Sequence, residues 1–407
     1  MNRKKEIILL NVSGEDKPGL TSSLTQILSQ YQVNILDIGQ AVIHNTLSLG
    51  ILIELPPEAE SSPILKDLLF KAYELNIRIR FSPIPEDEYQ EWVNSQGKER
   101  YIITLLGRKL RAEQIARVSD EIYGQGLNID FISRLSGRIP LAMEQPLSRS
   151  CVELSVRGKP ADLNRMKADF LMMSQEYGMD IAFQVDNVYR RNRRLVCFDM
   201  DSTLIQAEVI VELAKAAGVG PQVHEITEAA MRGEIDFKES FKRRLSLLKG
   251  LDESVLKGIA EAIPITEGAQ RLISTLKKFG YKIAILSGGF TYFGNYLKSL
   301  MPIDYVYANE LEIVDGKLTG RHLGDIVDGT RKADLLKLIA QVEGIQLDQV
   351  IAVGDGANDL PMINLAGLGI AFHAKPVVKE NASHAISTLG LDGILYLLGF
   401  RDRDLEI

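Results

Sequence analysis

Asp199 and Asp201 stand one residue apart in Asp199-Met200-Asp201-Ser202-Thr203, directly after the apolar run Leu195-Val196-Cys197-Phe198. Two carboxylates placed so closely repel each other, and both lose hydration where a strand runs out into a loop. A metal ion resolves that conflict. So does a division of labour, with one acid as nucleophile and the other as proton donor. Three further clusters follow. Ser287-Gly288-Gly289 ends the apolar run at 282–286, Lys332 opens a helical segment after Gly329-Thr330-Arg331, and Gly354-Asp355-Gly356-Ala357-Asn358-Asp359 ends the run at 349–353. Taken singly, these are a helix cap, a glycine turn, a surface lysine with Lys337 as competitor, and an acidic turn. Taken together, within one domain, they suit phosphoryl transfer.

Each cluster has a task in that chemistry. A carboxylate can attack phosphorus and form an acyl phosphate, provided the phosphate dianion is first neutralised. Mg²⁺ does this through oxygen ligands, and Asp199 and Asp355 can supply them. Lys332 adds a point charge. The Ser287 hydroxyl and the Gly288 N–H, expected at a helix start, can receive phosphate oxygens. Asp201 is placed to protonate the leaving oxygen and then to deprotonate water.

The elements that must position these groups are legible as alternating strands and helices from Leu195 onward. The short apolar runs at 195–199, 282–286, 305–308, 349–353 and 369–372 predict an α/β domain at 195–407 with a Rossmann-like parallel sheet. In such sheets ligands sit at the carboxyl ends of the strands. A helical insertion at about 207–263, straight after the first strand, reads as a cap over that end.

Two copies of one smaller unit precede this domain, at 1–86 and 98–186. The first reads strand 7–12, helix 18–32, strand 34–43, strand 47–55, helix 62–75, strand 77–84. The second reads strand 101–106, helix 111–123, strand 128–135, strand 151–156, helix 161–176, strand 179–185. The order βαββαβ is the ferredoxin-like plan. Residues 83–99 and 186–194 read as links, and the basic run Arg190, Arg191, Arg193 and Arg194 in the second link reads as solvated.

A chain of 407 residues is too long for one ordinary core. Its net charge of -7 argues against a nucleic-acid partner, and no apolar run is long enough to span a membrane. With only Cys151 and Cys197 and no signal-peptide pattern at the start, the expected compartment is the cytoplasm. The five histidines show no ligand spacing, so no transition metal is expected.

The four clusters, in order and type, resemble the motifs of the haloacid dehalogenase superfamily of phosphatases. Within it, residues 195–398 are most similar to the members that dephosphorylate phosphoserine. The resemblance implies Asp199 as nucleophile and Asp201 as acid and base. It also implies Mg²⁺ held by Asp199, Asp355 and the backbone of Asp201, with Asn358 and Asp359 ordering the surroundings of the ion. Ser287 and Lys332 complete the catalytic set, and Gly288 and Asn358 join the substrate contacts. The implied substrate is O-phospho-L-serine, giving serine and phosphate as the last step of serine biosynthesis. In the cap, the resemblance places Glu208 on the ammonium and Arg244 on the carboxylate, with Phe237 and Met231 as the apolar wall. Phosphothreonine or phosphohomoserine, or an amino-acid-sensing protein, are the alternatives.

The two repeats resemble ACT domains, which bind amino acids in metabolic enzymes. The turn Gly14-Glu15-Asp16-Lys17-Pro18-Gly19-Leu20 is similar to the ACT ligand loop. Asp16, Gly19, Leu20 and Asn34 are the candidate regulatory site, with serine as the implied feedback ligand. The second repeat has Gly107-Arg108-Lys109-Leu110 in that place, without Pro-Gly. ACT resemblance also implies a homodimer or higher homo-oligomer joined through sheet edges.

Overall fold

A computed structural model of the chain describes residues 6–56, 61–95, 97–138 and 148–405, without the side chain of Met231. The chain divides into two compact units, residues 1–98 and 99–407.

In the first unit, Leu47, Leu49, Ile51, Ile53 and Leu55 alternate along the strand Thr46–Leu55, and all are buried. That period of two points one face of an antiparallel sheet at two helices. The helices Leu20–Gln30 and Ser61–Glu74 answer with Leu20, Leu24, Ile27, Leu28 and Ile64, Leu68, Ala72. The sheet order is Asn34–Ile43, Thr46–Leu55, Glu6–Glu15, Arg78–Ile84. At its edge, Asn34–Ile43 exposes Ile35, Ile38, Val42 and Ile43. The expected link at 83–99 instead contains a helix, Glu86–Ser95. Its first turn holds Glu86, Asp87 and Glu88, which complement the positive end of the helix dipole.

The second unit contains the second repeat and the α/β domain. The repeat has the sheet order Asn128–Arg134, Ser150–Arg157, Arg100–Gly107, Asp180–Val185, with helices Ala112–Gly124 and Leu163–Tyr177. The α/β domain has seven strands, ordered Lys317–Leu323, Tyr305–Val314, Lys282–Phe290, Leu195–Phe198, Val350–Gly354, Leu368–Phe372, His384–Ile386. Six are parallel. Lys317–Leu323 is an antiparallel edge that the sequence reading did not contain. Leu195–Phe198 lies at the centre and is buried on both faces. Val196 and Phe198 join one apolar cluster, and Leu195 and Cys197 join another beneath the helix Gly329–Val342. Four helices, Val209–Ala216, Gly220–Met231, Phe237–Ser246 and Ser254–Ala262, form the insertion.

The basic link corrects the sequence reading. Arg190 and Arg193 are 3% and 6% exposed rather than solvated. Arg190 pairs with Glu153 of the second repeat, and Arg193 donates to the Asp348 carbonyl at 2.9 Å. The segment is wedged between repeat and core, so Arg190 and Arg193 find protein acceptors, while Arg191 and Arg194 stay exposed as the sequence reading expected. The same seam is closed by Asp180, whose carboxylate accepts from the N–H groups of Ser387 and Thr388 at 2.8 and 2.9 Å.

Candidate active site

The central strand delivers Asp199 to the carboxyl edge of the sheet, and a tight turn at Met200–Leu204 follows. Ser202 adopts φ +56 there, a left-handed conformation that costs energy for a residue with a side chain and commonly marks a functional loop. The turn keeps both acids inward, with Asp199 and Asp201 5% and 9% exposed. Asp199 Oδ1 accepts from the Met200 N–H at 2.7 Å and faces Lys332 Nζ at 2.9 Å.

Lys332 sits in the first turns of the helix Gly329–Val342, capped by Asp328, which accepts from the Arg331 N–H. Its ammonium is wholly buried and also donates to Asp359 Oδ1 at 2.6 Å. Burial alone pushes this lysine down, but Asp199 and Asp359 more than offset it, so its pKa is raised. Asp359 Oδ2 accepts from the Gly356 N–H at 3.0 Å, so both of its oxygens are engaged by the chain. Thr203 Oγ1 donates to Asp355 Oδ1 at 3.2 Å. Carboxylate oxygens of Asp199, Asp355 and Asp359 lie within 4.8 Å of one another. Burial and then the neighbouring acids Asp199, Asp359 and Glu208 push Asp355 up to about 7.

Asp201 differs from Asp199. Burial, then Glu208 and Asp199, raise its pKa well above the usual carboxylate range. Its Oδ2 accepts a long 3.4 Å bond from the Val209 N–H, and among the described residues its buried Oδ1 has no hydrogen-bond partner. Such a carboxyl holds its proton to higher pH than an ordinary carboxylate does.

The Ser287-Gly288-Gly289 segment lies where the strand Lys282–Phe290 loses register with its neighbour, between Leu286 and Phe290. Ser287 is wholly buried, and its Oγ accepts from the Gly289 N–H at 3.0 Å. The expected helix start at Gly288 is corrected: the next helix begins at Thr291, because the chain stays extended through Phe290. Asn309 holds this segment instead, donating to the Gly288 and Gly289 carbonyls at 2.8 and 3.2 Å. A Cβ at Gly289 would lie 3.1 Å from Asp201 Oδ2 and 3.2 Å from Ser287 Oγ, so only glycine lets these groups converge.

The cap brings Glu208, Phe237 and Arg244 to the same place. Glu208 accepts from Ser202 Oγ at 2.9 Å. Burial lowers the Arg244 pKa and outweighs the opposing pull of Glu208 and Asp201, the acids in its electrostatic reach, while its Nε donates to the Ser240 carbonyl at 3.4 Å. Phe237 Cζ would be 3.2 Å from a Cβ on Gly288. Lys238, next in the chain, pairs with Asp328 at 3.1 Å and joins cap to core. Asn358 packs its backbone carbonyl against Gly329. The Met231 side chain lies outside the described residues. The sequence reading gave Thr203, Asn309 and Gly289 no role of their own. Thr203 and Gly289 lie inside motifs already singled out, whereas Asn309 lies at a strand end that no motif marks.

In the first repeat, Asp16, Gly19 and Leu20 line a hollow of about 330 Å³ with Lys17, Thr21, Ser22 and Gln40. Asn34 is not among its lining and turns instead to Glu54 at 3.4 Å.

Family models match this arrangement in three places. Residues 6–82 and 100–184 each match an ACT domain, and residues 196–364 match a haloacid dehalogenase-like hydrolase. The chain is 40% identical over 400 residues to the phosphoserine phosphatase of Streptomyces coelicolor, covering 98% of this chain and 93% of the relative. It is 38% identical over 405 residues to that of Mycobacterium tuberculosis, covering 99% and 95%. A haloacid dehalogenase family hydrolase from Salmonella enterica serovar Typhi superposes with TM-score 0.63 at 30% identity, covering 73% of this chain and 98% of that one. The unliganded probable phosphoserine phosphatase of Vibrio cholerae does so with TM-score 0.58 at 35% identity, covering 75% and 87%.

Proposed function

The chain belongs to the phosphoserine phosphatase family of haloacid dehalogenase-like hydrolases, and from that premise we propose that it cleaves O-phospho-L-serine to L-serine and phosphate as the last step of serine biosynthesis. The observation that carries the reading is one buried lysine facing Asp199 and Asp359, beside Asp201, whose carboxyl is pushed up by burial and neighbouring acids.

Three carboxylates within 4.8 Å of one another fit a hard divalent cation, because one lysine does not balance their charge and all donors are oxygen. Asp199, Asp355 and the backbone of Asp201 would hold Mg²⁺, while Asp359, engaged by Lys332 and Gly356, supports them. When bound, the ion neutralises the phosphate dianion so that an anionic carboxylate can approach.

Asp199 attacks phosphorus. The bond between phosphorus and the serine oxygen breaks, and Asp201 gives its proton to that oxygen. Water then attacks the phosphorus of the aspartyl phosphate, Asp201 takes a proton from it, and the Asp199 carboxylate leaves. Ser287 Oγ, the Gly288 N–H and Lys332 receive the phosphoryl oxygens as charge moves onto them. Glu208 pairs with the ammonium and Arg244 with the carboxylate, whose planar pair of oxygens suits a guanidinium fork. Phe237 closes the apolar side, and Asn358 borders the substrate.

The hollow bearing Asp16, Gly19 and Leu20 fits an amino acid, with serine as the feedback ligand. The exposed edge Asn34–Ile43 fits pairing with another copy in a homodimer or larger assembly. Among the described residues no helix is long and apolar enough to cross a membrane. The free buried Cys151 and Cys197 accord with a reducing cytoplasm. Phosphate release from a panel of phosphoserine, phosphothreonine and phosphohomoserine with Mg²⁺ tests the proposal. Preference for phosphoserine supports it, and preference for another member or no release overturns it.

A further inference from the structure

We infer that Arg108 is a positioning residue for the cap, acting through Glu267 at the root of the ribbon that carries it. The cap joins the core through two chain segments, residues 204–206 and 264–266, which form a short antiparallel ribbon. The Gln206 N–H donates to the Pro264 carbonyl and the Thr266 N–H to the Leu204 carbonyl, both at 2.9 Å. Ile205 and Ile265 pair between them. One end of this ribbon is continuous with the turn that holds Asp201, and the other runs into Glu267.

Arg108 grips Glu267 with both arms of its fork, Nη1 to Oε1 at 2.9 Å and Nη2 to Oε2 at 2.6 Å. The Arg108 carbonyl in turn accepts from Ser148 Oγ at 2.9 Å. The Glu267 carbonyl accepts from the Leu391 N–H at 2.8 Å. The next residue, Gly268, has φ +78 and packs on Asp392, where a Cβ would come within 2.4 Å of Oδ1. Asp392 also pairs with Arg149 of the second repeat and with Arg271. Two arginines of the second repeat therefore converge on the ribbon root.

Their position explains a difference between the repeats. Gly107-Arg108-Lys109-Leu110 follows the first strand of its repeat, as Gly14-to-Leu20 does in the other. In the first repeat that turn borders a hollow, and in the second it holds the phosphatase domain. A bidentate pair fixes direction as well as distance, so it restrains how the ribbon leaves the core. Hinge segments of this kind set binding and closure from outside the chemistry. Arg108 and Glu267 are each 32% exposed, so either side chain can rehydrate once its partner is gone.

The inference rests on the phosphoserine reading only for its kinetic arm. The full chain is compared with Arg108→Ala, Glu267→Gln, the double variant, and the swap Arg108→Glu with Glu267→Arg. Hydrogen exchange at the Gln206 and Thr266 amides, without substrate, reports the ribbon. Steady-state kinetics on phosphoserine and on phenyl phosphate report the cap's grip. The expected result is faster exchange at both amides and a KM for phosphoserine raised roughly three- to tenfold. The singles and the double should match, the swap should recover, and phenyl phosphate should stay near the parent. A lower melting temperature with unchanged ribbon exchange and unchanged KM overturns the inference, as does additivity of the two singles. A parent chain inert on phosphoserine overturns the functional proposal instead, and the exchange arm still decides the tie.

Discussion

Lys332 donates to Asp359 across 2.6 Å, with both side chains wholly buried. The same ammonium lies 2.9 Å from Asp199. On the proposed mechanism, a fixed cation here would hold the Asp199 carboxylate ready and meet the incoming phosphoryl charge, without the hydration that would weaken it. Lys332→Met removes it and leaves buried acids facing one another. We expect kcat to fall roughly a hundred- to thousandfold and stability by about 3 kcal/mol or more. Phosphate release and the urea midpoint check the two.

The two acids of the catalytic turn should separate under mutation. Asp199→Asn presents an amide to phosphorus, so no phosphorus–oxygen bond forms and no phosphorylated enzyme should be trapped in rapid quench. Asp201→Asn keeps the nucleophile but has no proton to exchange with the leaving oxygen or with water. Its kcat should fall by about 10²–10⁴. Trapping in the first variant would remove Asp199 from its role.

Arg244, on the cap helix Phe237–Ser246, lies within electrostatic reach of Glu208 and Asp201. If it meets the substrate carboxylate, Arg244→Ala should raise KM for phosphoserine by one to two orders of magnitude, roughly the 1.5–3 kcal/mol of a charged hydrogen bond. Phenyl phosphate, which has no carboxylate, should be spared. Equal losses on the two esters would mean that Arg244 only shapes the cap.

Which parts of this molecule were legible in the sequence follows from how local their causes are. The acids at Asp199, Asp201, Asp355 and Asp359 were legible because they recur at strand ends of one domain together with Ser287 and Lys332, although each alone reads as a cap or a turn. The alternation of Leu47, Leu49, Ile51 and Ile53 fixes a strand without outside help. Arg190 and Arg193 were misread because a run of arginines looks alike whether water or a carbonyl receives it. Their acceptors, Glu153 and the Asp348 carbonyl, are distant in the chain. The helix Glu86–Ser95 was hidden by charge, since it buries no side chain completely and so shows no strong apolar stripe. Asn309, Arg108 and Glu267 act through partners distant in the chain, which no local pattern reports.

Metal removal gives a separate check on the acidic cluster. A chelator should abolish turnover, and Mg²⁺ should restore it. By mass action, a ligand bound only to the folded state at a hundred times its Kd adds about 2.7 kcal/mol. The melting temperature should therefore rise with Mg²⁺ in the parent chain. Asp355→Asn removes one donor and should shift the Mg²⁺ concentration needed for half-activity upward by about tenfold or more.

His384 ties the second repeat to the core and makes the seam acid-sensitive. Its ring lies 3.2 Å from the Gly369 carbonyl and 3.0 Å from the Phe183 carbonyl. Burial lowers its pKa to about 4, while the two carbonyls raise it; Arg193 and Lys167 lower it further. In the unfolded chain the ring titrates near its ordinary value of about 6.5. Between pH 4 and 6.5 the unfolded state thus binds the extra proton, and stability falls as pH drops through that window. By pH 5 the loss amounts to about 2 kcal/mol, and above pH 7 it vanishes. Urea titrations of the parent and of His384→Gln, at pH 7.5 and pH 5, isolate the term. The parent should lose about 2 kcal/mol more than the variant between the two pH values. An equal loss in both chains would mean that the folded ring takes up its proton over the same pH range as the unfolded one, and a smaller loss in the parent would mean a ring already charged when folded, with both carbonyls accepting from it.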